Sequence, residues 1–206
     1  MTPKHTGLLF VLSGPSGAGK GTVKARLFET VTGLAESVSA TTRAPRHGEA
    51  HGKNYYFLSD AEFKCKIAND EFAEHVHKFE HRYGTLKSEI QRSLDAGLDV
   101  LLEIETIGAA NIKKAMPQAI LIFITPSDPK ELERRLIGRG SESEEMRKMR
   151  IEIGRNEMLA VTQYDYIAIN DNLDACVNCV KDIIHAERSK VKNNRELIAK
   201  LHGNLK

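Results

Sequence analysis

The chain has 206 residues, 41% of them hydrophobic and 28% charged, with 30 basic and 28 acidic side chains. That composition belongs to a soluble globular protein with enough apolar residues for one sizeable core, and it is long for one domain and short for two. A formal charge of +2 is too small to argue for nucleic acid or a membrane surface as partner.

The segment Met1–Gly7 is too short and polar for a signal peptide, and no run approaches the roughly 20 apolar residues of a membrane span. Three cysteines make a poor disulfide framework and fit a reducing compartment, so a cytoplasmic location is expected.

The first predicted strand, Leu8–Ser13, runs into Gly14-Pro15-Ser16-Gly17-Ala18-Gly19-Lys20-Gly21-Thr22 and then a helix over about 20–31. A buried strand turning through glycines into a helix gathers backbone N–H groups and the helix's positive end around one point, which suits a phosphate. Lys20 adds a charge that can reach the β- and γ-phosphates of a nucleotide. The strict motif has Ser or Thr after Gly-Lys, whereas here Gly21 intervenes before Thr22. This Gly-Lys-Gly-Thr form resembles that of nucleoside-monophosphate kinases, in which waters supply more of the metal shell.

Further along, Ser37–Thr42 reads as a second strand and Arg43–Gly48 as a polar loop. Asn54–Leu58 reads as a strand, and Ser59-Asp-Ala-Glu62 as a capping box opening a helix. Weak alternation over 71–81 and a return through Arg82–Thr85 predict a small antiparallel unit, followed by a helix over about 87–96. The histidines at 75, 77 and 81 alternate as strand residues do, without a partner at metal-ligand spacing. Two strongly apolar strands, Val100–Ile104 and Ala119–Thr125, flank a helix near 109–115. Continuous apolar strands separated by helices indicate a parallel sheet covered on both faces.

A helix over 128–136 is broken by Gly138-Arg-Gly-Ser-Glu-Ser-Glu-Glu145 and resumes through Met158. The last strand is Tyr166–Asn170, and a C-terminal helix closes the chain. Within that helix Cys176 and Cys179 share an apolar face with Val180 and Ile183, so this C-x-x-C reads as core packing. The whole is a three-layer α/β core with two excursions, about 35–95 and about 138–155.

A phosphate loop alone could serve an ATPase, a GTPase or a kinase. No clear aspartate for a hydrolytic metal site follows the strand at 100–104, and no guanine-reading Asn-Lys-x-Asp motif follows later. Two arginine groups do appear, Arg43 with Arg46 and Arg135 with Arg139 and Arg150. Each alone could be a solvated face. Beside a phosphate loop they suggest one set for an acceptor phosphate and one for the transferring phosphoryl group.

Over nearly its whole length the sequence resembles the guanylate kinase family. The resemblance rests on Gly14–Thr22, Ser39-Ala-Thr-Thr-Arg-Ala-Pro-Arg46, Gly52-Lys-Asn-Tyr-Tyr-Phe57, Tyr83-Gly-Thr85, Glu103-Ile-Glu105 and Arg135–Glu145. It implies a three-layer P-loop nucleoside-monophosphate kinase fold: core 1–34, 96–137 and 156–206, a GMP-binding lobe at about 35–95, and a lid at about 138–155. It implies ATP with Mg²⁺ as phosphoryl donor and GMP as acceptor.

By the same resemblance Ser39, Arg43, Arg46, Tyr55 and Tyr83 hold the acceptor phosphate, and Glu74, Thr85 and Glu105 read guanine. Lys20, Arg135, Arg139 and Arg150 act on the transferring group. The base chemistry agrees independently: guanine's N1–H and exocyclic NH₂ suit a carboxylate, and its O6 suits a hydroxyl donor. The chain departs from the family at His75, Glu80-His81-Arg82 and Ile107. Two other readings share these features, a kinase of another small phosphorylated substrate and a non-catalytic binding module of a scaffold. The sequence leaves direct metal ligands and oligomeric state open.

Overall fold

The computed structural model describes residues 7–78, 80–137 and 144–203. Elements follow in chain order as β1 (Leu9–Ser13), α1 (Lys20–Thr30), β2 (Leu34–Glu36), β3 (Ala40–Thr41), β4 (Tyr56–Phe57), α2 (Asp60–Ala68), β5 (Phe72–Lys78) and β6 (His81–Leu86). Then come α3 (Lys87–Asp95), β7 (Asp99–Glu103), α4 (Thr106–Ala115), β8 (Ile120–Thr125), α5 (Pro129–Ile137), α6 (Glu144–Leu159), β9 (Tyr166–Ile169), α7 (Leu173–Ser189) and α8 (Arg195–Gly203).

Among the described residues one sheet runs β2-β7-β1-β8-β9 with every pairing parallel. Parallel strands need crossovers, and helices serving as crossovers cover both faces, so β1 and β8 are buried at every position and apolar up to their last residues, Ser13 and Thr125. Alternate side chains separate the two faces. Phe10, Leu12, Leu101 and Ile122 pack against Val23 and Leu27 of α1 and against Cys176, Val180 and Ile184 of α7. Leu9, Val11, Val100 and Leu102 pack against Ile90 of α3 and Ala109 and Ile112 of α4. Each buried Leu, Ile or Phe contributes about 1.5–3 kcal/mol, so the central strands hold most of the fold's stability.

One charge lies inside this core. Asp99 is fully buried at the start of β7, where it accepts from the Leu8 N–H at 2.8 Å and from Arg188 Nε of α7 at 2.6 Å. Removing the Arg188 guanidinium would take the cation from a buried carboxylate, a cost of about 3–5 kcal/mol. The Cys176–Cys179 pair faces the core as the periodicity predicts. Both thiols are free, and burial pushes that of Cys176 up to about 11, the opposite of a reactive thiolate.

The second sheet runs β4-β3-β6-β5, antiparallel except for β3 with β4. Its own small core is Ala40, Phe63, Phe72 and Leu86, with the Phe63 and Phe72 rings stacked at 4.4 Å. The Ser59–Glu62 capping box that starts α2 is present, each residue's side chain accepting the other's backbone N–H.

Three elements differ from the sequence expectation. Of the strand expected over 37–42 only Ala40–Thr41 forms, as β3 in the small sheet, while β2, which was not expected, lies just before it at Leu34–Glu36 and pairs with β7 in the large sheet. At the other edge of the excursion, α3 packs Ile90 into the core beneath β7, so both ends of segment 35–95 sit on the large sheet. Finally, the C-terminal helix is two helices. The Nδ2 groups of Asn193 and Asn194 donate to the carbonyls of Glu187, Arg188 and Lys190, ending α7 before α8 begins.

Candidate functional site

The carboxyl ends of β1, β7 and β9 converge, and in an open parallel sheet such ends are where ligands bind. β1 leads into the phosphate loop. Gly14 has φ +137°, and a Cβ there would lie 2.2 Å from the Ile124 carbonyl oxygen, so only glycine lets the loop leave the sheet this close to β8. Gly19, the N-cap of α1 with φ +85°, passes equally close to the Asn170 side-chain amide. Asn170 follows β9 and donates from Nδ2 to the Ala18 carbonyl at 2.7 Å, fixing the loop's far side. Lys20 Nζ donates to the carbonyls of Gly14 and Pro15 at 2.6 and 2.9 Å, so the ammonium spans the loop's mouth. The Ser16 N–H donates to Glu157 Oε2 of α6 at 3.0 Å. One N–H of the anion cradle thus already holds a carboxylate oxygen.

Beside this loop lies a cleft of about 540 Å³ whose walls include Ser39, Arg43, Arg46, Tyr55, Glu74, Tyr83 and Glu105. Glu103 and Glu105 also line the smaller cleft that contains Ser16 and Lys20, so the two spaces meet at the end of β7. The small sheet and its loops position most of the larger wall. Arg43 donates through one NH2 group to both Glu49 oxygens at 2.9 Å, and its guanidinium stands over the Tyr55 ring at 5.5 Å. Tyr55 and Tyr83 meet edge to face at 6.2 Å. Glu49 also accepts the Arg46 N–H at 2.7 Å, so one carboxylate orders the arginine loop.

At the opposite end Glu74 is only 6% exposed, facing Glu105 across the cleft. Burial pushes its carboxyl above the ordinary range. Hydrogen bonds from Thr85 pull it back, and the Glu105 charge adds to the rise. Thr85 Oγ1 donates to Glu74 Oε1 at 2.8 Å. Thr85 is itself fully buried and stands behind the carboxylate rather than on the cleft wall. Arg82 donates from Nε to Asp60 and leaves the cleft to its neighbours.

Of the arginines expected to act on the transferring group, Arg135 lies on α5 and donates from Nε to Glu131 and from its NH2 group to the Asn170 carbonyl at 3.0 Å. Asn170 therefore joins the arginine to the phosphate loop. Arg150 lies on α6, and its side chain is outside what is described, as is the whole of Arg139. Sequence reasoning passed over Glu157, Asn170 and Gly108. For Asn170 the available signal was its place just beyond the carboxyl end of a parallel strand.

A phosphate loop and a second anion-binding cleft sharing one strand end, on a parallel sheet with helices on both faces, define a P-loop phosphotransferase of the nucleoside-monophosphate kinase class. The model of the guanylate kinase family matches residues 7–187. Curated guanylate kinases from Caldanaerobacter subterraneus subsp. tengcongensis and Streptococcus thermophilus are 44% and 46% identical to the chain. The first alignment covers 98% of each chain and the second 90% of each. The crystal structure of guanylate kinase from Anaplasma phagocytophilum superposes with a TM-score of 0.78 at 30% identity, covering 100% of this chain and 98% of that one. The chain belongs to the guanylate kinase family.

Proposed function

We propose that the protein transfers the γ-phosphoryl group of ATP to GMP, giving ADP and GDP, with the donor on the phosphate loop and the acceptor in the larger cleft. The observation that carries the division of labour is the polarity of that cleft. Arg43, Arg46, Tyr55, Tyr83 and Ser39 offer donors suited to a phosphate, while Glu74 and Glu105 offer acceptors suited to the N–H edge of guanine.

Phosphoryl transfer passes through a loose transition state, so the protein's work is to position two nucleotides and neutralise charge. Lys20 and the loop N–H groups hold the donor's phosphates. Arg43 and Arg46 hold the acceptor phosphate, which is already largely ionised and attacks without a general base. Arg135, Arg139 and Arg150 act on the transferring group, with segment 138–155 as the lid and the small sheet as the acceptor lobe.

Among the described residues no group of three or more His, Cys, Asp or Glu is arranged to hold a metal, and Gly21 supplies no hydroxyl. That fits Mg²⁺ carried by phosphate oxygens and water, as that ion prefers. When bound it would withdraw charge from the donor's phosphates, held beside Lys20 and the loop N–H groups. Glu74 accepts from guanine N1–H and NH₂ as a carboxylate. Adenine presents an acceptor at N1, which would leave that carboxylate unpaired.

Among the described residues no helix is long and apolar enough to cross a membrane. With three free thiols, a cytoplasmic setting is the natural one. A coupled ADP-release assay offering GMP, AMP, UMP and a ribose phosphate in turn tests the reading. Turnover should be confined to GMP, and equal or faster turnover of the ribose phosphate or of AMP would overturn the acceptor assignment.

A further inference from the structure

We infer that Gly108 is a specificity-determining residue, because its missing side chain leaves the space in which the Glu74 carboxylate stands to read the base. This rests on the assignment of Glu74 to guanine.

Gly108 is the third residue of α4 and is buried on the cleft wall with Glu74 and Glu105. A Cβ built there would lie 3.0 Å from Glu74 Oε2, 3.5 Å from its Cδ and 3.4 Å from Ile104 Cδ1. The carboxylate cannot retreat in the other direction, since Oε1 is held at 2.8 Å by the hydroxyl of fully buried Thr85. Glu74 is thus enclosed between a hydroxyl and a glycine. A methyl group at 108 would force the carboxylate to give by a few tenths of an ångström, toward the cleft or against its bond to Thr85.

The backbone conformation does not call for glycine at this position, and the tightest neighbour of the missing side chain is the Glu74 carboxylate, ahead of Ile104. Its φ is not among the positive values, so alanine adopts the same backbone. In a helix glycine is less favourable than alanine, because it loses more conformational freedom on folding. Helix α4 therefore carries a destabilising residue where the neighbouring carboxylate gains most from it. The position also keeps Glu74 close to the amino end of α4, whose dipole favours a carboxylate over its protonated form.

Steady-state kinetics and thermal melting of Gly108→Ala test the inference together. The KM for GMP should rise about tenfold, the loss of one charge-assisted hydrogen bond. The KM for ATP and kcat should stay within about twofold. The melting temperature should stay within about 4 °C of the native chain's, since alanine's gain in the helix offsets the crowding at Glu74. In a Glu74→Gln background, Gly108→Ala should alter use of GMP far less, because the carboxylate's hydrogen bonds to the base, which the displacement would disturb, are already lost.

An unchanged KM for GMP in Gly108→Ala would overturn the inference. So would a melting temperature lowered by more than about 4 °C with ATP and GMP parameters worsening together, or a penalty that persists undiminished beside Glu74→Gln. If Glu74→Gln alone leaves GMP use untouched, the fault lies with the assignment of Glu74 itself.

Discussion

On the function proposed above, the two halves of the site bind the same kind of group with different materials. On the donor side the phosphate loop is mostly main chain, shaped by Gly14 and Gly19 against β8 and Asn170, with Lys20 as its mobile charge. On the acceptor side the cleft wall is side chains from several segments, ordered by one another: Glu49 holds Arg43 and the Arg46 backbone, and Thr85 holds Glu74. A loop made of backbone offers few atoms that substitution can remove without refolding it, whereas a wall made of side chains can be dismantled one contact at a time. Substitutions in the two halves should therefore separate kinetically, donor-side changes acting on kcat and acceptor-side changes on GMP recognition.

The largest break is expected from Glu74→Gln. The amide keeps one acceptor oxygen but puts a donor against a guanine N–H. A site built on hydrogen bonds rejects such a mismatch by up to about 10⁴-fold, so GMP use should collapse toward the level of AMP use. The same carboxyl fixes a pH dependence. Burial raises its pKa, so on acidification it takes up its proton above the usual carboxylate range near about 4.3. The KM for GMP should rise there while ordinary surface carboxylates remain ionised, and the Glu74→Gln variant should lack that acidic limb. An unaltered GMP-to-AMP ratio would leave base selectivity to Glu105.

Lys20→Ala should come next, removing a cation aimed at charge that develops in the transition state, which is worth roughly 10²–10³ in rate. The fold should be intact, since the loop's shape comes from glycines and Asn170. Retention of more than about a third of kcat would erase the kinetic contrast between the halves. Arg43→Ala and Arg46→Ala sharpen it from the other side. Each should raise the KM for GMP about tenfold to a hundredfold with ATP binding little changed. Titration of ATP in the absence of GMP checks this directly, and weakened binding would move the arginine to the donor side.

The same contrast governs what the sequence could reveal. A loop made of backbone needs glycines at fixed spacing, and those are visible in one dimension. The central strands were equally plain, because burial on both faces leaves continuous apolar runs such as Ile120–Thr125. The small sheet was harder: β3 and β4 are two residues each, and the move from β2 to β3 leaves no compositional trace. Its functional side chains emerged from the family resemblance, since an isolated Glu74 or Tyr83 looks like any strand residue. Pairings between distant segments were not legible at all. The Glu157 carboxylate on the Ser16 N–H spans 141 positions, and Asn170 on Ala18 spans 152. Thr85 was expected to face the base, but its hydroxyl proton is directed at Glu74.

The smallest expected effect asks whether the two halves also differ in stability. The small lobe rests on four buried apolar residues, Ala40, Phe63, Phe72 and Leu86, far fewer than either face of the large sheet. Helix α2 supplies Phe63 to that cluster, and its first turn is closed by the Ser59–Glu62 box. Ser59→Ala removes the hydroxyl that accepts the Glu62 N–H at 3.2 Å, a loss of about 1 kcal/mol. Applied to the whole chain this would lower the melting temperature by only about 2–4 °C. Local opening has its own free energy, so the change should appear mainly where the cap acts. Amide hydrogen exchange should therefore quicken in α2, β5 and β6 and stay unchanged in β1, β7 and β8. Phe72 stands two residues before Glu74 on β5, so a looser Phe63–Phe72 stack should also raise the KM for GMP slightly, leaving that for ATP alone. Equal acceleration across both sheets would mean that the lobes unfold as one unit, and the acceptor wall would then be as rigid as the loop it faces.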